Sequence, residues 1–219
     1  MFRSKIKLIL LSIASLFLLT LLTSGCLLLR YLPDNEISIT LFKTVYSLPI
    51  GKKSFLEFCS PVRKNESGHL PKEINQFLIS KIETTNNENE ISAIVNFYAL
   101  QASGHRIGYI YNISEEAKIK VINQLIKEFD NESNLGGKLM MLEEIRVGKG
   151  LGKGSFSIEG TNKPKFSTLE EYKQWFDEQS APIIKIKYQE WWNSNLSWEE
   201  KKKINPLQDT NIKISECCG

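Results

Sequence analysis

The sequence predicts an all-α chain in which antiparallel helical hairpins stack, as a short solenoid or an irregular bundle, behind one N-terminal membrane helix. Three observations carry that prediction. A run without charge or proline extends from Leu8 to Leu29. Apolar residues then recur at helical spacing in successive pairs of segments, and short polar turns separate the members of each pair, as in antiparallel helical neighbours. At 219 residues, 42% hydrophobic and 24% charged, the composition suits one ordinary domain and excludes a wholly disordered chain or a multi-span membrane protein.

The apolar run would rise about 33 Å as a helix, comparable to a hydrocarbon core of about 30 Å. Arg3, Lys5 and Lys7 precede it and favour a cytoplasmic N-terminus with the remainder exported. An uncleaved signal anchor and a cleaved secretory signal share this pattern, and small residues from Thr23 to Cys26 supply a cleavage point. The stretch Leu22-Thr23-Ser24-Gly25-Cys26 resembles the bacterial lipoprotein box, departing from it at Thr23. That resemblance implies diacylation of the Cys26 thiol. Residues 1–30 are therefore expected to be a signal anchor or a lipoprotein signal segment. Either leaves the body tethered to the membrane on the periplasmic or cell-surface side; a freely secreted product is the third outcome.

The net charge of +3 also belongs to this segment. Arg3, Lys5, Lys7 and Arg30 are four of the 28 bases, none of the 25 acids lies among them, and residues 31–219 are almost neutral. Binding a phosphate backbone needs clustered positive charge, so nucleic acid is not an expected partner.

Pro33, Asp34 and Asn35 break the chain after the anchor and open a mixed region, residues 31–70. Ile37, Ile39 and Leu41 alternate as in a strand, while Ile39, Phe42 and Tyr46 also fit one helical face, so both remain open. Ser54 and Glu57 have capping-box spacing before Pro61.

Residues 71–147 predict two hairpins. Pro71 suits a first helical turn, and Ile74, Phe77, Leu78 and Ile82 form one stripe. After a polar turn, Ile91, Ile94, Val95, Tyr98, Ala99 and Ala102 form a second, ended by Ser103-Gly104. Ser114 with Glu115 and Glu116 marks the next helix start. Ile122, Leu125, Ile126 and Phe129 follow, then Leu135, Leu139, Leu142 and Ile145 on the partner helix.

Ile74-Asn75-Gln76-Phe77-Leu78 echoes Ile122-Asn123-Gln124-Leu125-Ile126, 48 residues later. This spacing, with paired helices continuing through Tyr188 and Trp191, resembles the units of HEAT and armadillo α-solenoids over residues 71–193. The resemblance implies stacked units and an extended surface for another protein.

Residues 148–166 form a Gly/Lys-rich loop. Its Gly148 to Gly154 stretch misses the P-loop pattern: Val147 holds the first glycine position, and Gly154 follows Lys153 where Ser or Thr is required. A turn leading into a short edge strand at Phe156 and Ile158 is expected, with Lys149 and Lys153 as candidate anion-loop residues. Residues 167–219 complete the chain as an aromatic-rich terminal helical pair and tail. Ser167 and Glu170 have capping-box spacing, and Ser197-Trp198-Glu199-Glu200 starts a last turn. The adjacent Trp191 and Trp192 point about 100° apart on a helix, so one is a candidate partner-binding anchor.

No catalytic set is legible. Cys59 with His69 or His105 is not placed as a thiol–base pair. The pairs Glu115-Glu116, Glu143-Glu144 and Glu170-Glu171 fit helix starts or exposed faces. No cofactor is called, and His69 with scattered cysteines lacks metal-site spacing. In an oxidising compartment Cys59 is expected to bridge to Cys217 or Cys218 in the tail. The chain is expected to be a tethered scaffold or protein-binding module rather than an enzyme. The alternative is a small membrane-anchored hydrolase or anion-binding enzyme using the Gly148 to Gly154 loop.

Overall fold

The structure, a computed structural model, describes residues 35–49, 51–59, 70–102, 110–129, 135–149, 155–158 and 176–215, with isolated positions 20, 26, 28, 32, 168, 171 and 174. Eight α-helices account for most of these residues. The chain divides into two compact units, Met1–Phe97 and Tyr98–Gly219.

In the first unit the ambiguous stretch is helical. Helix α1 spans Glu36–Ser47, capped by the Asn35 side chain, which accepts from the Ile37 N–H at 2.9 Å. Ile39, Phe42 and Tyr46 share its buried face with Val45. The helix reading wins because α1 also packs on α3, Lys72–Thr84, so a face repeating every three to four residues has a surface to cover. Phe42, Tyr46, Phe55 and Phe77 form the aromatic centre of this unit, with ring centroids 5.2–6.4 Å apart.

Helix α2, Lys52–Cys59, starts earlier than its Ser54 suggests: the Gly51 carbonyl accepts from the Phe55 N–H at 3.1 Å, leaving Ser54 exposed within the helix. The Lys52 ammonium supplies the local signal instead. It donates to the carbonyls of Tyr46 and, at 2.7 Å, Leu48, where the end of α1 leaves acceptors unpaired. Helix α4, Glu88–Ala102, crosses the boundary between the units. Its predicted stripe is buried from Ile91 through Ala99, together with Ala93, Asn96 and Phe97 between the stripe positions.

The second unit continues with a 3-10 turn at Ile110–Asn112 and helix α5, Glu115–Lys127, whose N-cap Ser114 accepts from the Ala117 N–H. Helix α6, Leu135–Val147, packs against α5 and the 3-10 turn and is buried on nearly every side. A π-helical turn at Phe176–Ser180 leads into α7, Ala181–Asn193, and a complete Ser197/Glu200 capping box starts α8, Trp198–Lys201. Ser167 and Glu170 of the other expected box lie outside the described residues; next to them Thr168 and Glu171 exchange backbone-to-side-chain hydrogen bonds of 3.2 and 3.3 Å.

The all-α class holds, with one small addition. The expected strand forms as β1, Ser155–Ile158, and its partner is β2, Ile212–Ser215, in the tail. They pair antiparallel, Ser155 opposite Ser215 and Ile158 opposite Ile212. A four-residue edge cannot satisfy its own backbone groups, so a second segment is needed to pair with it.

Two sequence features look different in three dimensions. The 48-residue echo does not present equivalent faces: Asn75 and Leu78 are buried on α3, while Asn123 is exposed and Ile126 half-buried on α5. On α5 the buried set moves to Val121, Ile122 and Leu125, so the two copies turn different sides inward. Among the described residues no helix is long and apolar enough to cross a membrane. The Leu8 to Leu29 run lies outside them except at Thr20, Cys26 and Leu28.

Candidate functional site

The C-terminal unit gathers its aromatic and charged residues into two adjoining clusters. Trp191 comes from α7 and is buried, its indole N–H donating to the Lys201 carbonyl at 2.9 Å. Its neighbour Trp192 is half-buried and donates to Asn123 Oδ1 of α5 at 2.8 Å. Trp198, at the start of α8, donates to Glu115 Oε2. The three rings lie 5.6–6.4 Å apart, so each touches both others.

Two ammonium groups face these rings, Lys201 Nζ at 4.9 Å from the Trp192 centroid and Lys202 Nζ at 5.5 Å from that of Trp198. Aromatic faces attract cations, and here the chain supplies its own. Lys201 also donates to the Trp192 carbonyl at 2.6 Å, and Lys202 pairs with Glu199 at 2.7 Å and Glu115 at 3.6 Å. The cluster therefore clamps α7 and α8 onto α5. Trp192 and Trp198 are both half-buried, whereas Trp191 is enclosed.

Glu115 is the hub of this clamp. Hydrogen bonds from Lys118, at 2.7 Å, and from Trp198 hold its carboxyl below the usual carboxylate range, with Lys202 adding to the effect. A carboxylate whose folded pKa is depressed stabilises the fold above its unfolded pKa, and that contribution is lost as pH falls through the folded value. The expected result is a stability difference between wild type and Glu115→Gln that is present at neutral pH and narrows under acid. Urea midpoints read by tryptophan fluorescence at neutral and acid pH check it; a difference independent of pH would remove Glu115 from this role.

The second cluster corrects the expectation that Glu143 and Glu144 line an exposed face. Both are buried, because neighbouring elements enclose α6 around most of its circumference. Glu143 accepts from Arg146 through both oxygens, the Nε bond being 2.7 Å, and from the Tyr188 hydroxyl at 2.6 Å. Arg146 also donates to the carbonyls of Ile204 at 2.9 Å and Lys202 at 3.4 Å. Burial, then the nearby Glu143 charge, pushes the Tyr188 phenol well above its usual value. Burial opposes the Arg146 charge, but Glu143 outweighs it and the guanidinium stays protonated.

A carboxylate with both oxygens committed to two donors is poorly placed to exchange protons with a substrate. This cluster is a structural clasp between α6, α7 and the segment after α8. The one signal for it in the sequence is the Glu143-x-x-Arg146 spacing beside Leu142 and Ile145. Lys138, also fully buried on α6, pairs with Glu128 at 3.4 Å.

Of the Gly148 to Gly154 stretch, Gly148 and Lys149 are described. Gly148, at φ +71°, ends α6 in the left-handed conformation that glycine adopts at little steric cost. Its N–H donates to the Glu144 carbonyl at 2.9 Å. The loop thus leaves the carbonyl end of a helix, whose partial charge is negative and repels an anion. Lys149 is exposed, and Lys153 lies outside the described residues.

The cysteine pairing differs from expectation. Cys59, at the end of α2, is bridged to Cys26 with a Cα–Cα separation of 4.9 Å, and both are buried. The partner was expected in the tail; instead it lies 33 residues upstream within the same compact unit, and a shorter loop costs less entropy to close. A sulfur in a disulfide has no valence left for a thioether, so this bridge and a lipidated Cys26 exclude one another. Cys217, Cys218, His69 and His105 lie outside the described residues. Among the described residues no three His, Cys, Asp or Glu side chains converge as metal ligands.

No protein-family model matches this chain, and no curated protein or solved structure is significantly similar to it. Its function has to be argued from the residues themselves.

Proposed function

We propose that this protein is a membrane-tethered, extracytoplasmic helical scaffold that binds another protein and carries out no turnover. The observation that carries the reading is the buried Cys26–Cys59 bridge at the outer end of the Leu8 to Leu29 run. Disulfides persist in oxidising compartments, and the basic residues before the run favour export of everything after it. An intact anchor accommodates this bridge, whereas lipidation would consume the Cys26 thiol.

The charged and aromatic residues of the C-terminal unit support a binding role over a catalytic one. Glu143, Arg146 and Tyr188 are committed to one another, and the indole N–H groups of Trp191, Trp192 and Trp198 all have acceptors. What this leaves for recognition is apolar and aromatic surface, with Trp192 as its anchor. Paired helices in both units are compatible with a HEAT-like arrangement, which we include in the proposal as the finer architecture.

Proximity labelling from the full-length chain in its native membrane tests the reading. A defined neighbour whose labelling falls at least several-fold with Trp192→Ala, and is unaffected by Lys149→Ala with Lys153→Ala, is the expected result. Labelling of this chain alone would point to a purely structural envelope component and overturn the binding role.

A further inference from the structure

We infer that the face of the N-terminal unit around Leu32, Ile37 and Phe58 rests on the bilayer, held there by the Cys26–Cys59 bridge. The inference rests on the tethering reading above and names the surface through which the tethered body meets lipid. Cys26 precedes the end of the apolar run by three residues, so a run that spans the bilayer puts it at the outer edge of the hydrocarbon. Cys59 is covalently fixed to it at 4.9 Å between Cα atoms. Phe58, the residue before it on α2, is therefore confined to the depth of the membrane interface whatever the rest of the body does.

The exposure of the side chains matches that position. Phe58 is 52% exposed, Leu32 51% and Ile37 64%, in a unit whose other large apolar groups on α1 and α2 are buried, with Leu41 half-buried. The backbone carries the same order from the bridge to Leu32 and Ile37. The Leu32 N–H donates to the Leu28 carbonyl at 2.6 Å, and the Asn35 N–H to the Leu32 carbonyl at 3.2 Å, one residue before α1 begins. Three exposed apolar side chains thus lie close along the chain to a covalent staple at the membrane surface, where water would otherwise meet them.

Charge says which lipid chemistry this face takes. Residues 30–59 hold Arg30, Lys43, Lys52 and Lys53 against Asp34, Glu36 and Glu57, an excess of one positive charge. Lys53 lies 4.0 Å from Glu57, and Lys52 is committed to backbone carbonyls. A surface with so small a positive excess gains little from anionic headgroups. Its contact is with the apolar edge of the bilayer, and zwitterionic lipid suffices.

The native tryptophans, all between residues 175 and 198, leave this unit free for an indole probe. The full-length chain carrying Phe58→Trp, and separately Ile37→Trp, is reconstituted into phosphatidylcholine vesicles with bromine near the headgroup end of the acyl chains. After subtraction of the wild-type signal, the added indole should be quenched at least two-fold relative to vesicles without bromine, and Cys59→Ser in the Phe58→Trp background should reduce that quenching. Flotation of wild type with the vesicles reports tethering independently. If the chain floats but neither added indole is quenched above the wild-type signal, as when a second copy or another protein covers this face, the inference is overturned while tethering stands. If the chain does not float, tethering fails and this inference fails with it.

Discussion

Replacing Glu143 with alanine is expected to destabilise the Tyr98–Gly219 unit by about 3–5 kcal/mol, the cost of leaving a buried charge without its partner. Arg146 would keep its guanidinium among α6, Tyr188 and the carbonyls of Lys202 and Ile204 with no carboxylate to balance it. Tyr188→Phe removes one hydrogen bond to a charged acceptor and should cost less, about 1.5–3 kcal/mol. Replacing both charged residues, with Glu143→Leu and Arg146→Met, should recover much of the loss, since apolar groups of similar volume can stand in for a buried pair. Urea unfolding followed by tryptophan fluorescence is the measurement, because every tryptophan lies in this unit. A Glu143→Ala midpoint within experimental error of wild type would show that the clasp contributes little.

Phe42→Ala should cost the N-terminal unit a comparable amount, about 3–5 kcal/mol, through lost burial and the cavity left behind. Phe42 is fully buried and contacts Tyr46, Phe55 and Phe77, so one deletion removes ring contacts to three elements, α1, α2 and α3. Phe42→Leu keeps most of the volume and should recover more than half of the difference. Differential scanning calorimetry with near-ultraviolet circular dichroism of the tyrosines would register both changes. A Phe42→Ala protein with an unshifted melting profile would displace this cluster as the centre of the unit.

The helices were legible in the sequence where apolar residues recurred every three to four positions, and a cap sharpened the start of two of them. Ser114 and Ser197 announced α5 and α8; the stripe of α6 buries at every position its periodicity named, while Phe77 of α3 and Ile126 of α5 stay half-buried. Ser54 shows the limit of the same rule. A capping pattern gives the backbone a local option, but α2 already begins at Lys52, with the Gly51 carbonyl accepting from the Phe55 N–H.

The candidate site was less legible. Glu143 looked like an ordinary helical acid because its neighbours in sequence do not reveal Tyr188, 45 residues away, or the Ile204 carbonyl, 58 residues from Arg146. Trp198 and Glu115 are 83 residues apart, and nothing local to either foretells the pair. The cysteine partner was misplaced for a related reason: composition identifies which thiols can oxidise, whereas pairing requires two Cα atoms within bridging distance.

The amino-acid sequence by itself determined that the chain is mainly helical, where most of its helices run, and that an uncharged segment of membrane-spanning length precedes them. Those properties follow from interactions within a few residues: hydrophobic period, capping and the absence of charge. Tertiary structure decided which acids are buried, which indoles stay half-open, that Cys26 closes on Cys59, and which tail segment pairs with β1. Each of these depends on groups distant along the chain meeting at a few ångströms, a distance that local pattern does not encode.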